Sequence, residues 1–344
     1  MSSNRLQAFV PRLVRHEDLG QDEARELLES LLDEEATDSQ IAATLVALAM
    51  KGETVEELAG MASGLRAKAV KVNCCHRSFI DTAGTGSSPA KTFNISTAAA
   101  FVIAACGLPV AKHGNRAASS KSGSADVLTA LGVNVSALPA LSEAALNEIG
   151  ICFMFAPLYH GATARVAGIR RQLGVHTTFN LLGPLSNPAG APKQIIGVWN
   201  KSLTTRLANV LALLGTERAW VVHGDDGLDE ITLAGKTFVA EACAGEVRTF
   251  ELEPEAFGVQ RAALDGLAGG DAEENAEIIR DVLSGARRDR ARALVIVNAA
   301  AALHVGGAAD DLLAAAQLAE QSIDSGAAYR MLEQLIRKTN ESNA

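Results

Sequence analysis

The chain has 344 residues, 48% of them hydrophobic, and a formal net charge of −9. This length allows two domains with large hydrophobic cores. The acidic balance argues against a general nucleic-acid-binding protein, which needs a basic surface. The longest apolar run, residues 98–111, is too short and too interrupted to span a bilayer. With no apolar secretory segment near residue 1, we expect a cytoplasmic protein.

The cysteines show no pattern of disulfide or metal chemistry. There are five, an odd number, with no Cys-x-x-Cys pair and no zinc-type spacing. We therefore predict that they are reduced and mostly buried.

The first seventy or so residues are predicted to be helical. Leucine recurs at helical spacing within residues 21–35. Two capping boxes, Thr37 with Gln40 and Thr54 with Glu57, are expected to open two further helices. These helices predict a small all-helical domain at the N-terminus.

From residue 79 onward, short apolar segments alternate with helical ones. The predicted strands are residues 108–111, 151–155, 195–199, 219–222, 238–241 and 248–251. Residues 271–284 and the alanine-rich segments after residue 291 are predicted to be helical. The alternation favours an α/β fold with a mostly parallel central sheet flanked by helices. We predict a helical domain at residues 1–75, with a contribution from about 166–190, and a larger α/β domain at 76–344.

Residues 81–124 contain the densest set of groups suited to binding a polyphosphate. The first loop offers glycines, hydroxyls and an amide just before an alanine-rich helix at residues 98–105: Gly84, Gly86, Ser87, Ser88, Thr92, Asn94, Ser96 and Thr97. Glycines let backbone N–H groups approach an anion, and a helix N-terminus adds further donors. Alone, such a pattern is more often a turn and a cap, and it matches neither the P-loop nor the dinucleotide fingerprint.

A second polar loop follows the predicted strand at residues 108–111. Its residues are Lys112, His113, Gly114, Asn115, Arg116, Ser119, Ser120, Lys121, Ser122 and Ser124. Burying so many cations and hydroxyls without an anionic partner is costly. A lone basic loop is usually solvated, but beside the first loop it favours a phosphate site. We expect both loops to meet at one pocket.

An acidic loop lies far downstream, after the predicted strand at residues 219–222. Its carboxylates are Asp225, Asp226, Asp229 and Glu230. In isolation they would indicate a solvated turn. Mg²⁺, however, prefers one or two carboxylates together with phosphate oxygens and water. With the two basic loops, they predict a site for a magnesium-bound phosphate ester.

Several motifs occur together in a distinctive order. KHGNR followed by SSKSGSADVL, TFNIST, FNLLGP with NPAG, and DGLDE resemble the anthranilate phosphoribosyltransferase family over nearly the whole chain. These enzymes are nucleoside-phosphorylase-like phosphoribosyltransferases of tryptophan biosynthesis. The resemblance implies transfer of the phosphoribosyl group of 5-phosphoribosyl 1-pyrophosphate to the amine of anthranilate, releasing pyrophosphate. It also implies Mg²⁺ as cofactor and a homodimer formed through the helical domain.

The resemblance also implies roles for individual residues. Those expected to act in catalysis are Lys112, His113, Asn115 and Arg170. Those expected to bind substrate are Gly84, Gly86, Ser87, Ser88, Thr92, Asn94, Ile95, Ser96, Thr97, Lys112, His113, Gly114, Asn115, Arg116, Ser119, Ser120, Ser124, Arg170, Gly183 and Pro184. Magnesium is expected at Ser96, Asp229 and Glu230. Arg170 suits anthranilate because a guanidinium pairs with a carboxylate through two hydrogen bonds.

The chain departs from the family pattern at two places. The family usually reads GTGGDG in the first loop, where this chain has Ser87, Ser88 and Pro89 after Gly86, and His176 stands where arginine is usual. Two alternatives therefore stay open. One is a related phosphoribosyltransferase or nucleoside phosphorylase with another aromatic acceptor. The other is a non-catalytic relative that binds nucleic acid, which the acidic balance and the acidic loop disfavour.

Overall fold

The computed structural model describes residues 5–86, 88, 90, 92–117 and 121–341. Its N-terminal part is helical, as predicted. The helices are α1 (Leu6–Val14), α2 (Gln21–Leu31), α3 (Asp38–Lys51) and α4 (Val55–Lys68). Helix α2 ends before the predicted residue 35. The Asp33 side chain accepts a hydrogen bond from the N–H of Glu35 at 2.9 Å, and such local bonds compete with a continuing helix.

Both predicted capping boxes are confirmed. Thr37 Oγ1 accepts from the N–H of Gln40 at 3.3 Å, and Gln40 Oε1 accepts from the N–H of Thr37 at 2.9 Å. The Thr54–Glu57 pair repeats this arrangement at 3.1 and 2.9 Å. The carboxylate of Glu57 also meets the ammonium of Lys51 at 2.9 Å. This buried ion pair ties the end of α3 to the start of α4.

A seven-stranded sheet forms the centre of the molecule, in the order β3-β2-β1-β4-β5-β6-β7. Its first five strands are parallel to one another, and β6 and β7 add antiparallel pairings at one edge, which confirms the mostly parallel sheet. The strands are β1 (Ile80–Gly84), β2 (Val110–Gly114), β3 (Ile151–Phe155), β4 (Lys193–Gly197), β5 (Arg218–Gly224), β6 (Thr237–Cys243) and β7 (Glu246–Leu252).

Strand β1 was not among the predicted strands, β5, β6 and β7 are longer than predicted, and β2 and β4 are shifted along the chain. Strand β2 starts and ends later than residues 108–111, so Lys112, His113 and Gly114 belong to the strand and not to the loop after it. The cause is pairing with β3, which continues to the register Gly114–Phe155. Strand β4 begins at Lys193, before predicted residue 195, because it pairs with β1 and β5 from there.

Helices cover both faces of the sheet. They are α5 (Ile95–Ala105), α6 (Ser124–Ala130), α7 (Pro139–Ile149), α8 (Ala156–Tyr159), α9 (Ala164–Leu173), α10 (Thr178–Leu185), α11 (Ser202–Leu213), α12 (Ala272–Leu283), α13 (Arg290–Gly306), α14 (Leu312–Asp324) and α15 (Ala327–Thr339). Two short 3₁₀ turns add residues 161–163 and 254–257. Helices α5 and α13 are apolar on nearly all sides and are buried.

The sheet separates two hydrophobic cores. Neighbouring residues of one strand point to opposite faces, so Ile195 and Trp220 belong to one core, while Ile196 and Val221 belong to the other. The first core contains α5 and α13. The second joins the N-terminal helices to α9, α10 and α11. This second core brings α10 to the edge of the sheet where the site lies.

Two remaining expectations concern the cysteines and the membrane. All five cysteines are free, but only Cys152 is buried, so the prediction that they are mostly buried was wrong. The others lie in loops or at element ends, where close packing does not cover them. Across the described ranges, no helix combines the length and apolar character needed to cross a bilayer.

Candidate active site

A cavity of about 390 Å³ opens at the carboxyl ends of β1 and β2, beside the point between β1 and β4 where the order of the parallel strands reverses. This switch point is where open α/β sheets usually bind ligands. The predicted residues that line the cavity are Gly84, Gly86, Ser88, Thr92, Asn94, Ile95, Ser96, Thr97, Lys112, His113, Gly114, Asn115, Arg116, Ser124, Arg170, Gly183, Pro184, Asp229 and Glu230. Ser87, Pro89, Ser119 and Ser120 lie outside the described residues.

The first loop is held by bonds to neighbouring backbone. Thr85 donates its N–H and its hydroxyl to the carbonyl of Gly197, at 2.8 and 3.1 Å. Gly86 has a φ of +65°, which favours glycine. Ser88 donates its hydroxyl to the carbonyl of Gly227 at 2.7 Å. The loop is therefore fastened to β4 and to the acidic loop, and the hydroxyl of Ser88 already has an acceptor.

The acidic pair lies against the N-terminus of α5. The N–H of Ser96 donates to Glu230 Oε1 at 3.2 Å. Burial, followed by the negative charge of Asp229, raises the pKa of Glu230 to about 8. Asp229 packs directly on β4. A Cβ on Gly197 would lie only 1.7 Å from the carbonyl oxygen of Asp229. Two carboxyl groups are thus held together at one side of the cavity.

Lys112 lies in the floor of the cavity and not in a solvated loop. Its ammonium donates to the carbonyl of Thr82 and lies 3.4 Å from Ser96 Oγ. Burial lowers the pKa of Lys112, and the negative charges of Asp81 and Glu230 oppose that effect. The side chain of Asp81 accepts from the N–H of His113 at 3.2 Å, below the cavity. Lys112 therefore supplies a fixed charge with little freedom to move.

The surroundings of His113 determine the protonation state of its imidazole. Its Nδ1 lies 3.2 Å from the carbonyl of Gly183, and its ring meets that of His160 at 5.1 Å between centroids. Burial, followed by the neighbouring His160, lowers the pKa of His113 to about 3. The imidazole is therefore neutral near pH 7. At that pH it can donate or accept a hydrogen bond, but it carries no imidazolium charge.

The described ends of the second loop, residues 114–117 and 122–124, line the other side of the cavity. Ser124 donates its hydroxyl to the carbonyl of Asn115 at 3.3 Å, which holds the loop onto the start of α6. Arg116 pairs with Asp126 at 2.9 Å, and its guanidinium lies 5.7 Å from the ring centroid of Phe155. The charge of Arg116 is therefore partly compensated within the protein, unlike that of the next arginine on the cavity wall.

That arginine is Arg170, on α9. It donates to Asn180 Oδ1 at 3.1 Å, and its guanidinium lies 5.6 Å from the ring centroid of Phe179. Its Nε is buried and has no hydrogen-bond partner among the described residues. Burial lowers the pKa of Arg170 from its usual value. A half-buried guanidinium with an unused N–H on a cavity wall suits an anionic ligand.

Sequence reasoning missed several residues of the cavity wall. Phe179 and Asn180 line it from α10, although they are part of the FNLLGP motif that carried the resemblance. Their position could have been expected from Gly183 in the same motif, one helical turn away. His176 does not line the cavity. Its ring packs on Trp199 at 4.6 Å between centroids, just beyond the end of β4.

Comparisons with known proteins agree with this geometry. The description "glycosyl transferase family, helical bundle domain" matches residues 7–69, and "glycosyl transferase family, a/b domain" matches residues 76–329. The anthranilate phosphoribosyltransferase of Moorella thermoacetica is 50% identical over 331 residues, covering 96% of this chain and 97% of the relative. The chain belongs to the anthranilate phosphoribosyltransferase family.

Solved structures of the family share the fold over its whole length. The crystal structure of the Thermus thermophilus enzyme has a TM-score of 0.91 at 39% identity, covering 96% of this chain and 99% of that one. The enzyme of Saccharomyces cerevisiae, in complex with phosphoribosyl pyrophosphate and Mg, has a TM-score of 0.89 at 29% identity, covering 98% of both chains. These relatives favour the first functional hypothesis and lend no support to the two alternatives.

Proposed function

We propose that the protein transfers the phosphoribosyl group of 5-phosphoribosyl 1-pyrophosphate to the amine of anthranilate. The products are N-(5-phosphoribosyl)anthranilate and pyrophosphate, and the reaction belongs to tryptophan biosynthesis. The observation that carries the proposal is the shared cavity of Lys112, Asp229 and Arg170 in a chain of this family. These residues come from distant parts of the sequence. Two cationic side chains and one carboxylate therefore line the same cavity.

The acidic pair fits a magnesium ion. Asp229 and Glu230 supply hard oxygen ligands, and the raised pKa of Glu230 marks a buried site where two like charges lie close together. Ser96 presents its hydroxyl from α5 on the same wall. In the described parts of the chain, no three His, Cys, Asp or Glu side chains form a metal cluster, so substrate oxygens and water would complete the coordination. When bound, magnesium would carry part of the negative charge of the pyrophosphate.

The hard step of such a transfer is the departure of pyrophosphate from the anomeric carbon. The bond from this carbon to the pyrophosphate oxygen breaks as the amine nitrogen bonds to it, and the carbon passes through an oxocarbenium-like state. Lys112 adds a fixed positive charge beside the space for the leaving group, where charge develops. An arylamine loses its proton easily once alkylated, so the neutral His113 need not act as a base.

Positioning of the two substrates contributes the remaining reduction of the reaction barrier. Arg170 and Asn115 line the cavity, and we propose that they hold anthranilate with its amine toward the sugar. A guanidinium can pair with the carboxylate of anthranilate through two hydrogen bonds. Holding two reactants in the reactive geometry is worth roughly 7–11 kcal/mol of the barrier. Binding and orientation, together with charge compensation, therefore account for catalysis without a covalent nucleophile.

The test is the loss of anthranilate fluorescence when phosphoribosyl pyrophosphate and magnesium are added to the purified protein. We expect a time-dependent loss that requires all three components and releases one pyrophosphate for each anthranilate consumed. Aminobenzoate isomers and pyrimidine nucleosides serve as competing acceptors. Turnover of one of these in place of anthranilate would favour the first alternative. Salt-dependent DNA binding without pyrophosphate release would favour the second.

We also propose the domain division and a homodimer. The second hydrophobic core, which joins the N-terminal helices to α9 and α10, supports a helical domain of residues 1–75 with a contribution from 166–190, beside an α/β domain of 76–344. Val14 and Met50, on α1 and α3, are 64% and 75% exposed, which supports a second copy of the chain as the partner of this surface. Light scattering would measure the mass in solution, and Met50→Glu should lower it. Residence in the cytoplasm stays a prediction.

A further inference from the structure

A line of hydrogen bonds connects the start of α12 to the second polar loop of the site. The two polar loops are called the phosphate loops below. The N–H of Gly270 donates to Asn275 Oδ1 at 2.8 Å. Asn275 Nδ2 donates to Asn94 Oδ1 at 3.0 Å, and Asn94 Nδ2 donates to the carbonyl of Ser122 at 3.3 Å. Asn94 and Ser122 line the cavity, whereas Asn275 is 2% exposed and does not. The line therefore connects a buried residue to both loops of the site.

The two ends of the line fix the direction of every bond in it. Gly270 contributes a backbone N–H, which only donates, and Ser122 contributes a backbone carbonyl, which only accepts. Asn275 must therefore turn its oxygen to Gly270 and its NH₂ to Asn94. Asn94 must in turn direct its oxygen to Asn275 and its NH₂ to Ser122. Only one orientation of each carboxamide satisfies all of these groups.

This orientation matters at the cavity. The NH₂ of Asn94 has two protons, and Ser122 takes one of them. No acceptor in the described part of the chain takes the second, and Asn94 is itself on the cavity wall. A phosphate oxygen accepts hydrogen bonds and does not donate them, so it needs the NH₂ and would be repelled by the oxygen. The orientation that the line imposes is the one that suits phosphate.

Close packing supports the same connection. A Cβ on Gly269 would lie 2.5 Å from the carbonyl oxygen of Thr92, so the chain before α12 lies directly against the first loop. Asp271 caps α12 by accepting from the N–H of Glu274 at 2.9 Å, which fixes where the helix begins. Asn275 consequently has little freedom to move away from Asn94.

We propose that Asn275 is a positioning residue for phosphoribosyl pyrophosphate. It holds the carboxamide of Asn94 with its NH₂ toward the substrate's phosphate groups, and through Asn94 it keeps the two phosphate loops together. The inference rests on the proposed function, because it assigns this substrate to the cavity. A purely structural role for Asn275, as a buried cap of its own turn, predicts a loss of stability without a selective loss of affinity for one substrate.

The experiment measures kcat and both KM values for Asn275→Ala and Asn275→Asp. Asn275→Ala should raise KM for phosphoribosyl pyrophosphate roughly 10-fold, while KM for anthranilate changes less than about two-fold. Asn275→Asp keeps the acceptor for Gly270 but loses the donor to Asn94, so the carboxamide of Asn94 turns round. For Asn275→Asp we expect KM for phosphoribosyl pyrophosphate to rise about 10- to 100-fold. Asn209→Ala, which removes a helix-surface carboxamide bonded to Thr205, should leave both values unchanged.

A double-mutant cycle with Asn94→Ala separates the two roles of Asn275. If Asn275 acts through Asn94, the double variant should resemble Asn94→Ala alone. Additive effects, or equal increases in both KM values with a lower melting temperature, would overturn the proposal. Should Asn275→Ala fail to fold, the isosteric Asn275→Asp answers the question.

Calorimetry with phosphoribosyl pyrophosphate alone separates this inference from the proposed function. The wild type should bind this substrate in the absence of anthranilate, and both Asn275 variants should bind it more weakly. If the wild type binds it but consumes no anthranilate, the proposed acceptor is wrong, while the comparison of affinities still decides the role of Asn275. Unchanged affinity in the variants would overturn the inference even if turnover occurs.

Discussion

The backbone N–H of Ser96 donates to the carboxylate of Glu230 at 3.2 Å, across 134 residues of sequence. This bond joins the N-terminus of α5, where the first loop ends, to the acidic loop after β5. It places a carboxylate where a helix N-terminus would otherwise offer its N–H groups to substrate phosphate. The proposed phosphate site and the proposed metal site therefore share this contact.

Glu230→Gln should separate the charge of this residue from its shape. The amide oxygen can still accept from Ser96, but the amide cannot ionise to give the carboxylate that bound magnesium would favour. We expect kcat to fall on the order of 10²-fold, as is typical when one charge-stabilising group is removed. The measurement is turnover against magnesium concentration. Glu251→Gln, an exposed change on β7, is the matched control, and a Glu230→Gln variant with unchanged turnover would remove Glu230 from the site.

Lys112→Met should lower both activity and stability. The charge of the ammonium lowers the pKa of the buried Asp81, so its removal makes that carboxylate more costly to bury and lowers the free energy of unfolding. Turnover should also fall on the order of 10²-fold, because a charge near the leaving group is lost. The double variant Lys112→Met/Asp81→Asn should regain stability but not activity. Recovery of both in the double variant would show that Lys112 acts only through folding.

The difference between local and distant patterns explains how much of this could be predicted. Capping boxes such as Thr37 with Gln40 involve residues close in sequence, and the alternation of strands and helices is likewise local, so the fold class followed from the chain alone. Strand pairing is not local. Lys112 therefore appeared to be a loop residue, although β3 draws it into the sheet and Thr82 takes its ammonium.

The supporting residues of the site were beyond sequence reasoning for the same reason. Asn275 meets Asn94 across 181 residues, and nothing in the composition near either one indicates the other. Asn298 is similar: from the middle of α13 it accepts from the N–H of Ile231 at 2.9 Å and donates to its carbonyl at 3.0 Å, directly beside Glu230. In the sequence these asparagines are ordinary helix residues.

Two buried histidines should each lower the free energy of unfolding as the pH falls. Burial lowers the pKa of His113 to about 3 and that of His160 to about 4, whereas the unfolded chain takes up these protons near pH 6.5. Between about pH 6.5 and 4 each histidine therefore costs about 1.4 kcal/mol of stability per pH unit as the pH falls. Asp81 and Glu230, with pKa values raised to about 6 and about 8, have the opposite effect below those pH values. Between about pH 6 and 4.5 the two carboxyl groups therefore offset the loss from the two histidines, and a histidine substitution is needed to measure that loss.

His160→Phe measures this contribution. Urea titration at each pH gives the free energy of unfolding of the variant and of the wild type. The variant's value minus the wild-type value should increase by about 1.4 kcal/mol per pH unit as the pH falls below 6.5. Neither ring nitrogen of His160 has a hydrogen-bond partner among the described residues, so the variant should be folded at pH 7. Parallel curves for the two proteins would contradict the prediction, because they would show that folding leaves the pKa of His160 unchanged.

Arg170 should determine affinity for the aromatic acid. Arg170→Ala removes the guanidinium whose Nε lacks a partner in the described part of the chain, and we expect KM for anthranilate to rise roughly 10- to 100-fold. Arg170→Lys should recover little, because an ammonium cannot form the paired bonds of a planar guanidinium and loses the contact with Phe179. KM for phosphoribosyl pyrophosphate should stay nearly constant. Arg171→Ala, the exposed neighbour on α9, is the control, and an equal effect of both changes would mean that the charge of the helix end, and not Arg170 itself, attracts the acid.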